Sequence, residues 1–329
     1  MKRLRVLLLS AAVMLAGTAA HAEPLTDLSQ AYQALVAGRY ADVEDLYARL
    51  HREHGRTPEG TYAWEEFNWK VYWASSSKPD EPDYWPKVDA ATKAWVAHSP
   101  KSYVAAMTRA FALAYRSGSV QAREGAWVEA DRLAQEARKL MDNSRRAGAS
   151  DPLWHAVRLR VASVEGLPRT DVVNLIHAAL AVDSTVMRVY QEAAIALSPN
   201  GRNNDDMVWL MRLALQRAGQ REGPAIYARV LEATYWHFEP DGLTFGRNGL
   251  DWPLLDKSFA DWKRRYPASY PLDLHAGLAC SARDRETASR LLAEPSAGSR
   301  SDVWTLLGGK NYLSACREWL KPALAKPIV

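Results

Sequence analysis

The chain has 329 residues, 48% hydrophobic and 24% charged, with 42 Lys and Arg set against 38 Asp and Glu. That length provides for one elongated array or two ordinary domains, with enough apolar residues for a sizeable core. A net charge of +4 excludes the concentrated basic excess that nucleic-acid binding needs, so no nucleic-acid partner is expected.

Residues 1–22 carry the pattern of a secretory signal peptide. Lys2, Arg3 and Arg5 precede an apolar run over 6–15, and Ala20, His21 and Ala22 make a small-x-small cleavage site before Glu23. The run is too short to span a bilayer and no later stretch is long enough, so no transmembrane segment is expected. Cleavage after Ala22 would give a periplasmic or secreted product. Lys2, Arg3 and Arg5 would leave with the segment, making the mature chain nearly neutral.

Beyond it the apolar spacing is helical and interrupted by Pro, Gly, Ser and Asp, with few of the alternating β-branched runs that strands need. The predicted class is all-α. Residues 28–38 and 41–51 form a first helical pair, and 64–74 a third helix. His51 and His54 have the spacing of a metal pair, but no third ligand and no His-Glu-x-x-His motif accompany them. With Gly55 following, they read as a helix C-terminus, where imidazoles complement exposed carbonyls. No metal is expected.

The third helix opens the densest aromatic block: Tyr62, Trp64, Phe67, Trp69, Tyr72, Trp73, then Tyr84 and Trp85. Trp69, Tyr72 and Trp73 stand at i, i+3 and i+4 and share one face, so Trp69, Trp73 and Trp85 are candidates for a stacking surface. The competing reading is packing, because large aromatics also wedge helix pairs apart. The 13 Trp run from Trp64 to Trp319, a spread that favours a general packing habit.

A loop follows over 75–83, and then a unit recurs in which a polar residue with Pro or Ser ends one helix and opens the next. It appears at Ser99, Pro100, Lys101 and Ser102 before an Ala-rich helix through Ala114, and at Asp151 and Pro152 before a helix to Ser163. It appears again at Asp183, Ser184 and Thr185 before a helix over 186–197, and at Tyr266, Pro267, Ala268 and Ser269 before a helix over 272–281. An Asp or Ser cap accepts orphan amides, and Pro at the first helical position has none to offer. Ala105, Ala106, Ala110 and Ala114 let neighbouring helices approach closely. The unit type is that of a tetratricopeptide-like helical-hairpin repeat, an α-solenoid, although the spacing between units is irregular; an irregular helical bundle is the alternative. A polar break over 198–204 divides an N-terminal region, 23–198, from a C-terminal region, 199–329, unless the two form one continuous domain.

The stretch 239–252, with Pro240, Gly242, Gly246 and Gly249, is irregular. Beside it His237 lies between Trp236 and Phe238, and Asp251 and Trp252 could close the same site from across the loop. His237, Asp251 and Trp252 are therefore candidates for ligand binding or an acid–base pair, with a capped, aromatic-packed loop as the alternative. No nucleophile elbow, phosphate-cradling loop or dinucleotide fingerprint is present, and no cofactor is expected.

Cys280 and Cys316 are the only cysteines. In an oxidising compartment they would pair, stabilising the fold by about 3–4 kcal/mol on loop entropy; two buried thiols are the other possibility. Asp251, Trp252 and Pro253, Phe259, Arg265, Tyr266 and Pro267, Ala279 and Cys280, Asp284, and finally Cys316 with Trp319 resemble a secreted bacterial family of domains of unknown function with a tetratricopeptide-like fold. The resemblance is clearest over 250–319 and implies a helical-repeat fold and a Cys280–Cys316 bond. The family's Gly-Asp turn reads here as Ser281, Ala282, Arg283, Asp284, without the Gly. The resulting expectation is an extracytoplasmic binding or scaffolding module for a protein or peptide partner in the cell envelope, with no catalytic residues assigned. Its alternatives are an envelope enzyme acting on glycan or peptide in an aromatic-lined cleft, and a purely structural protein.

Overall fold

The computed structural model describes residues 25–73, 84–198, 204–235, 245 and 249–321. The leader pattern, the 75–83 loop, His237 and the centre of the 198–204 break lie outside the described residues. Within them the protein is all-α, and the only β-type pairings are two isolated bridges, Arg56 with Tyr62 and Phe245 with Leu250.

The helices in order are α1 (Ala31–Val36), α2 (Tyr40–Glu53), α3 (Phe67–Trp73), α4 (Tyr84–His98), α5 (Tyr103–Glu124), α6 (Trp127–Gly148), α7 (Pro152–Glu165) and α8 (Arg169–Val182). They continue with α9 (Met187–Leu197), α10 (Asn204–Glu222), α11 (Ala225–Thr234), α12 (Trp252–Arg265), α13 (Leu272–Ser281), α14 (Arg285–Leu292), α15 (Ser301–Gly308) and α16 (Tyr312–Leu320). Helix α13 spans the expected residues. Helix α5 runs well past Ala114, because the residues after it, including Ser117 and Val120, stay buried against α6.

The caps are local and readable. Ser102 accepts from the Ala105 amide at 3.2 Å, Asp151 from Leu153 at 2.8 Å, Asp251 from Leu254 at 3.1 Å and Asp284 from Thr287 at 3.0 Å. Each such cap is worth about 1 kcal/mol. Two helices end on a residue other than Gly in the left-handed region: His54, at φ 47°, closes α2, and Arg283, at φ 60°, follows α13.

Helix α5 packs against α6 and α7, α7 against α8 and α9, and α9 against α10 and α11. Helices α7, α9 and α11 are therefore covered on several sides, which is why they are apolar nearly all round. Small residues permit the close contacts. Ala105, Ala110, Ala112 and Ala114 are buried on α5, and at Gly148 any Cβ would lie 2.3 Å from the Trp154 ring. One apolar core runs from Leu25 to Leu307, on both sides of the 198–204 break. A smaller cluster, with Ala279, Leu291 and Trp304, surrounds Cys280 and Cys316, whose Cα atoms are 5.9 Å apart, at disulfide distance.

Between α2 and α3 the chain forms a strap, residues 54–66, that reaches far along the sequence. Arg56 pairs with Glu222 at 2.5 Å, Arg229 donates to the Gly60 carbonyl at 2.9 Å, and Tyr62 shares a hydrogen bond with Thr185 at 3.1 Å. Ser269 donates to the Glu59 carbonyl at 3.2 Å. Gly60, at φ 80°, lies so close to Tyr266 that a Cβ would fall 2.7 Å from the ring, so only Gly serves there. The strap thus ties the first helices to α9, α10, α11 and the turn after α12.

Candidate functional site

The shared face of Trp69, Tyr72 and Trp73 points at one residue of α5, Tyr115, with ring centroids at 5.8, 4.7 and 5.7 Å. Tyr72 is buried, while Trp69 and Trp73 are half-buried against the core. Two arginines cover the outer surfaces of this cluster. The Arg188 guanidinium lies 5.6 Å from the Trp69 ring centre, and Arg160 lies 5.6 Å from that of Tyr115. Trp85, half-buried near the start of α4, is covered instead by Arg116 at 5.9 Å.

Tyr115 also forms a wall of a cleft of about 380 Å³ where the C-terminal halves of α5, α7 and α9 meet. Its polar lining comes from Ser119, Gln121, Arg160, Ser163 and Ser198, and its apolar lining includes Val164 and Ile195. The expected stacking face therefore backs a cleft wall through Tyr115, while Trp69 and Trp73 are not part of the lining itself.

Behind the cleft runs a ladder of charges. Arg160 Nε is 2.6 Å from Glu192 Oε2, Glu192 Oε1 is 4.0 Å from Arg188, and Arg188 is 2.7 Å from Glu66 at the end of the strap. Glu192 is only 1% exposed, and the Arg160 contact is an ion pair without hydrogen-bond alignment, leaving both Glu192 oxygens and Arg160 Nε without an aligned hydrogen bond. Two arginines thus share one buried carboxylate. The neighbouring Glu65 accepts from the backbone amides of Tyr62 at 2.8 Å and Arg188 at 2.9 Å. Burial pushes its carboxyl up to about 7, against the pull of these amides and of the Arg188 and Arg229 guanidiniums.

The other sequence candidates stand elsewhere. Asp251 is exposed and caps α12. Trp252 donates its indole N–H to Asp284 at 3.0 Å and packs at 5.9 Å from both Phe245 and His275. This pair locks α12 to α14 and is not joined to the cleft. His51 and His54 meet edge to face at 5.5 Å, with His51 against Trp64, and its Nε2 lies 3.9 Å from the Asp151 carboxylate. Among the described residues no three metal-binding side chains gather, and no helix is long and apolar enough to cross a membrane.

Two features escape a sequence reading. Arg160, Glu192 and Ser163 are ordinary members of apolar-rich helices, and only packing brings them together. His275, alone on an apolar helix, shares a hydrogen bond with Tyr270 through Nδ1 at 2.6 Å and with Asp256 through Nε2 at 2.9 Å, and stacks on Phe259 at 4.4 Å. A neutral ring protonated on Nε2 satisfies both partners, and burial lowers its pKa accordingly. With the ring 2% exposed, this relay holds α12, α13 and the turn between them together.

A second cleft, about 510 Å³ between α1 and α4, is lined mostly by apolar groups such as Leu35, Val36, Tyr40 and Ala94. Its polar side chains include Gln33 and Lys87, against a guanidinium, an amide and three serine hydroxyls in the first, which makes the α5–α7–α9 cleft the better site for an oriented ligand. No known protein family, curated protein or solved structure matches the chain.

Proposed function

We propose that the protein is an extracytoplasmic binding module of tetratricopeptide-like build, related to the secreted family it resembles over 250–319, that takes an extended peptide or a segment of a partner protein in the α5–α7–α9 cleft. One observation carries this reading: an aromatic wall, a guanidinium and several hydroxyls converge on a cleft at the ends of three helices. A peptide main chain offers alternating donors and acceptors. Its carbonyls match the Arg160 guanidinium and the hydroxyls of Ser119 and Ser198, the latter buried without a hydrogen-bond partner among the described residues. Tyr115, braced from behind by Trp69, Tyr72 and Trp73, provides a rigid apolar surface for a side chain. The expected envelope location draws support from the cysteine pair.

The test is photocrosslinking in the intact cell envelope, with benzoylphenylalanine at Ser119 in the cleft or at the exposed Asp131 of α6 as control. A discrete protein or peptide adduct from position 119, absent from 131 and lost when Tyr115 is changed to Ala, is expected. Identical adduct patterns from the two positions, or none from 119, would remove the cleft as the binding site.

A further inference from the structure

The strap and the cleft lie on different parts of the helical layer, yet the charge ladder joins them. The strap ends at Glu66, which holds Arg188; Arg188 also reaches the buried Glu192, and Glu192 holds the cleft's own cation, Arg160. Glu65, the adjacent residue, is bonded to the Arg188 amide, so the strap grips both the backbone and the side chain of that position.

We propose that residues 54–66 form a clasp whose docking regulates the cleft, by setting how Glu192 is shared between Arg188 and Arg160. With the clasp in place, Arg188 is drawn to Glu66 at 2.7 Å and stands back from Glu192 at 4.0 Å, which leaves Glu192 on Arg160 at 2.6 Å. Arg160 is then neutralised and only 14% exposed. With the clasp released, Arg188 loses Glu66 and Glu192 becomes the nearest acid of the ladder left to it. Glu192 is not anchored by any aligned hydrogen bond, so its share of charge moves to Arg188 and Arg160 is freed to meet an acceptor on the ligand. The clasp is in this sense autoinhibitory. A partner that competes for Arg56 or Tyr62 on the strap would open the cleft to its ligand, and the two events are coupled through a continuous set of contacts.

This inference deepens the reading of the cleft as a binding site, but its test needs no ligand, so the two fail separately. Phenylglyoxal modifies accessible, unpaired guanidiniums, and the labelling of each Arg can be followed by peptide mass spectrometry. The variants are Glu66→Gln, a 36% exposed position, and Arg56→Ala, with Glu66→Asp as the conservative control. Arg109, 5% exposed and paired with Asp89 and Glu136 away from the strap, is the internal reference. The expected result is labelling of Arg160 faster by on the order of tenfold in Glu66→Gln and Arg56→Ala, with Arg109 unchanged and the wild-type rate largely restored in Glu66→Asp. Hydrogen exchange at the Arg188 amide, which donates to Glu65 of the strap, reports whether the clasp has opened. An open amide with unchanged Arg160 labelling would overturn the coupling, and so would a parallel rise at Arg109, which would mean general loosening of the fold.

Discussion

Arg56 and Glu222 lie 166 residues apart in sequence and 2.5 Å apart in space. Glu222 is 3% exposed and also receives Arg229 at 3.2 Å and the Tyr266 hydroxyl at 3.3 Å. A carboxylate at that depth is stable because several donors share its charge. Arg56 also donates to the Gly60 carbonyl at 2.8 Å, so one side chain fixes both the strap's shape and its docking.

Arg56→Ala should accordingly cost about 2 kcal/mol, the worth of a partly buried charged hydrogen bond, with Arg229 and the Tyr266 hydroxyl left to hold Glu222. Urea unfolding measures it. A change within a few tenths of a kcal/mol would mean that the strap rests on the surface without holding it.

Local features were legible in the sequence, and long-range ones were not. Asp151, Asp251 and Ser102 act as caps because a cap is decided by neighbours two or three residues away. The i, i+3, i+4 face of Trp69, Tyr72 and Trp73 was likewise readable, but its target, Tyr115, was not. Nothing local announces that Arg56 meets Glu222 or that Arg160 meets Glu192, because those pairs depend on how whole helices stack. Asp251 and Trp252 act locally: one caps α12 through Leu254 and the other ties α12 to α14 through Asp284.

Arg283 is held at φ 60°, where an L side chain is strained and Gly is not. Its guanidinium lies 5.5 Å from the Trp319 ring centre, but Arg285 covers the same ring at 5.4 Å and would remain. Arg283→Gly is therefore expected to stabilise the protein by about 0.5 kcal/mol, seen as a small rise in Tm. A fall in Tm would show that the Arg283 contact outweighs the backbone strain.

The His275 relay predicts a pH dependence. Burial lowers the folded-state pKa below the ordinary 6.5, so the unfolded chain binds the extra proton first. The stability this ring contributes is fully present above 6.5 and is lost as pH falls from there through the lowered folded value. The stability difference between wild type and His275→Asn should be largest above that pH and shrink in acid. A difference that stayed constant or grew as pH fell would place a charged imidazole in the fold.

Pairing of Cys280 and Cys316 joins α13 to α16 across a separation of 36 residues. Intact mass should rise by two hydrogens on reduction, and the reduced protein should lose about 3 kcal/mol of stability. An unchanged mass would mean two free thiols in the small C-terminal core.

The most direct test of the central claim, that the α5–α7–α9 cleft binds an extended peptide, is amide and methyl chemical-shift mapping with the peptide recovered from the Ser119 crosslink. Peptide binding in the cleft would give saturable shifts concentrated at Tyr115, Ser119, Arg160, Ser163 and Ile195. Saturable shifts confined to the groove beside Val36 and Tyr40, or none at the cleft residues, would contradict it.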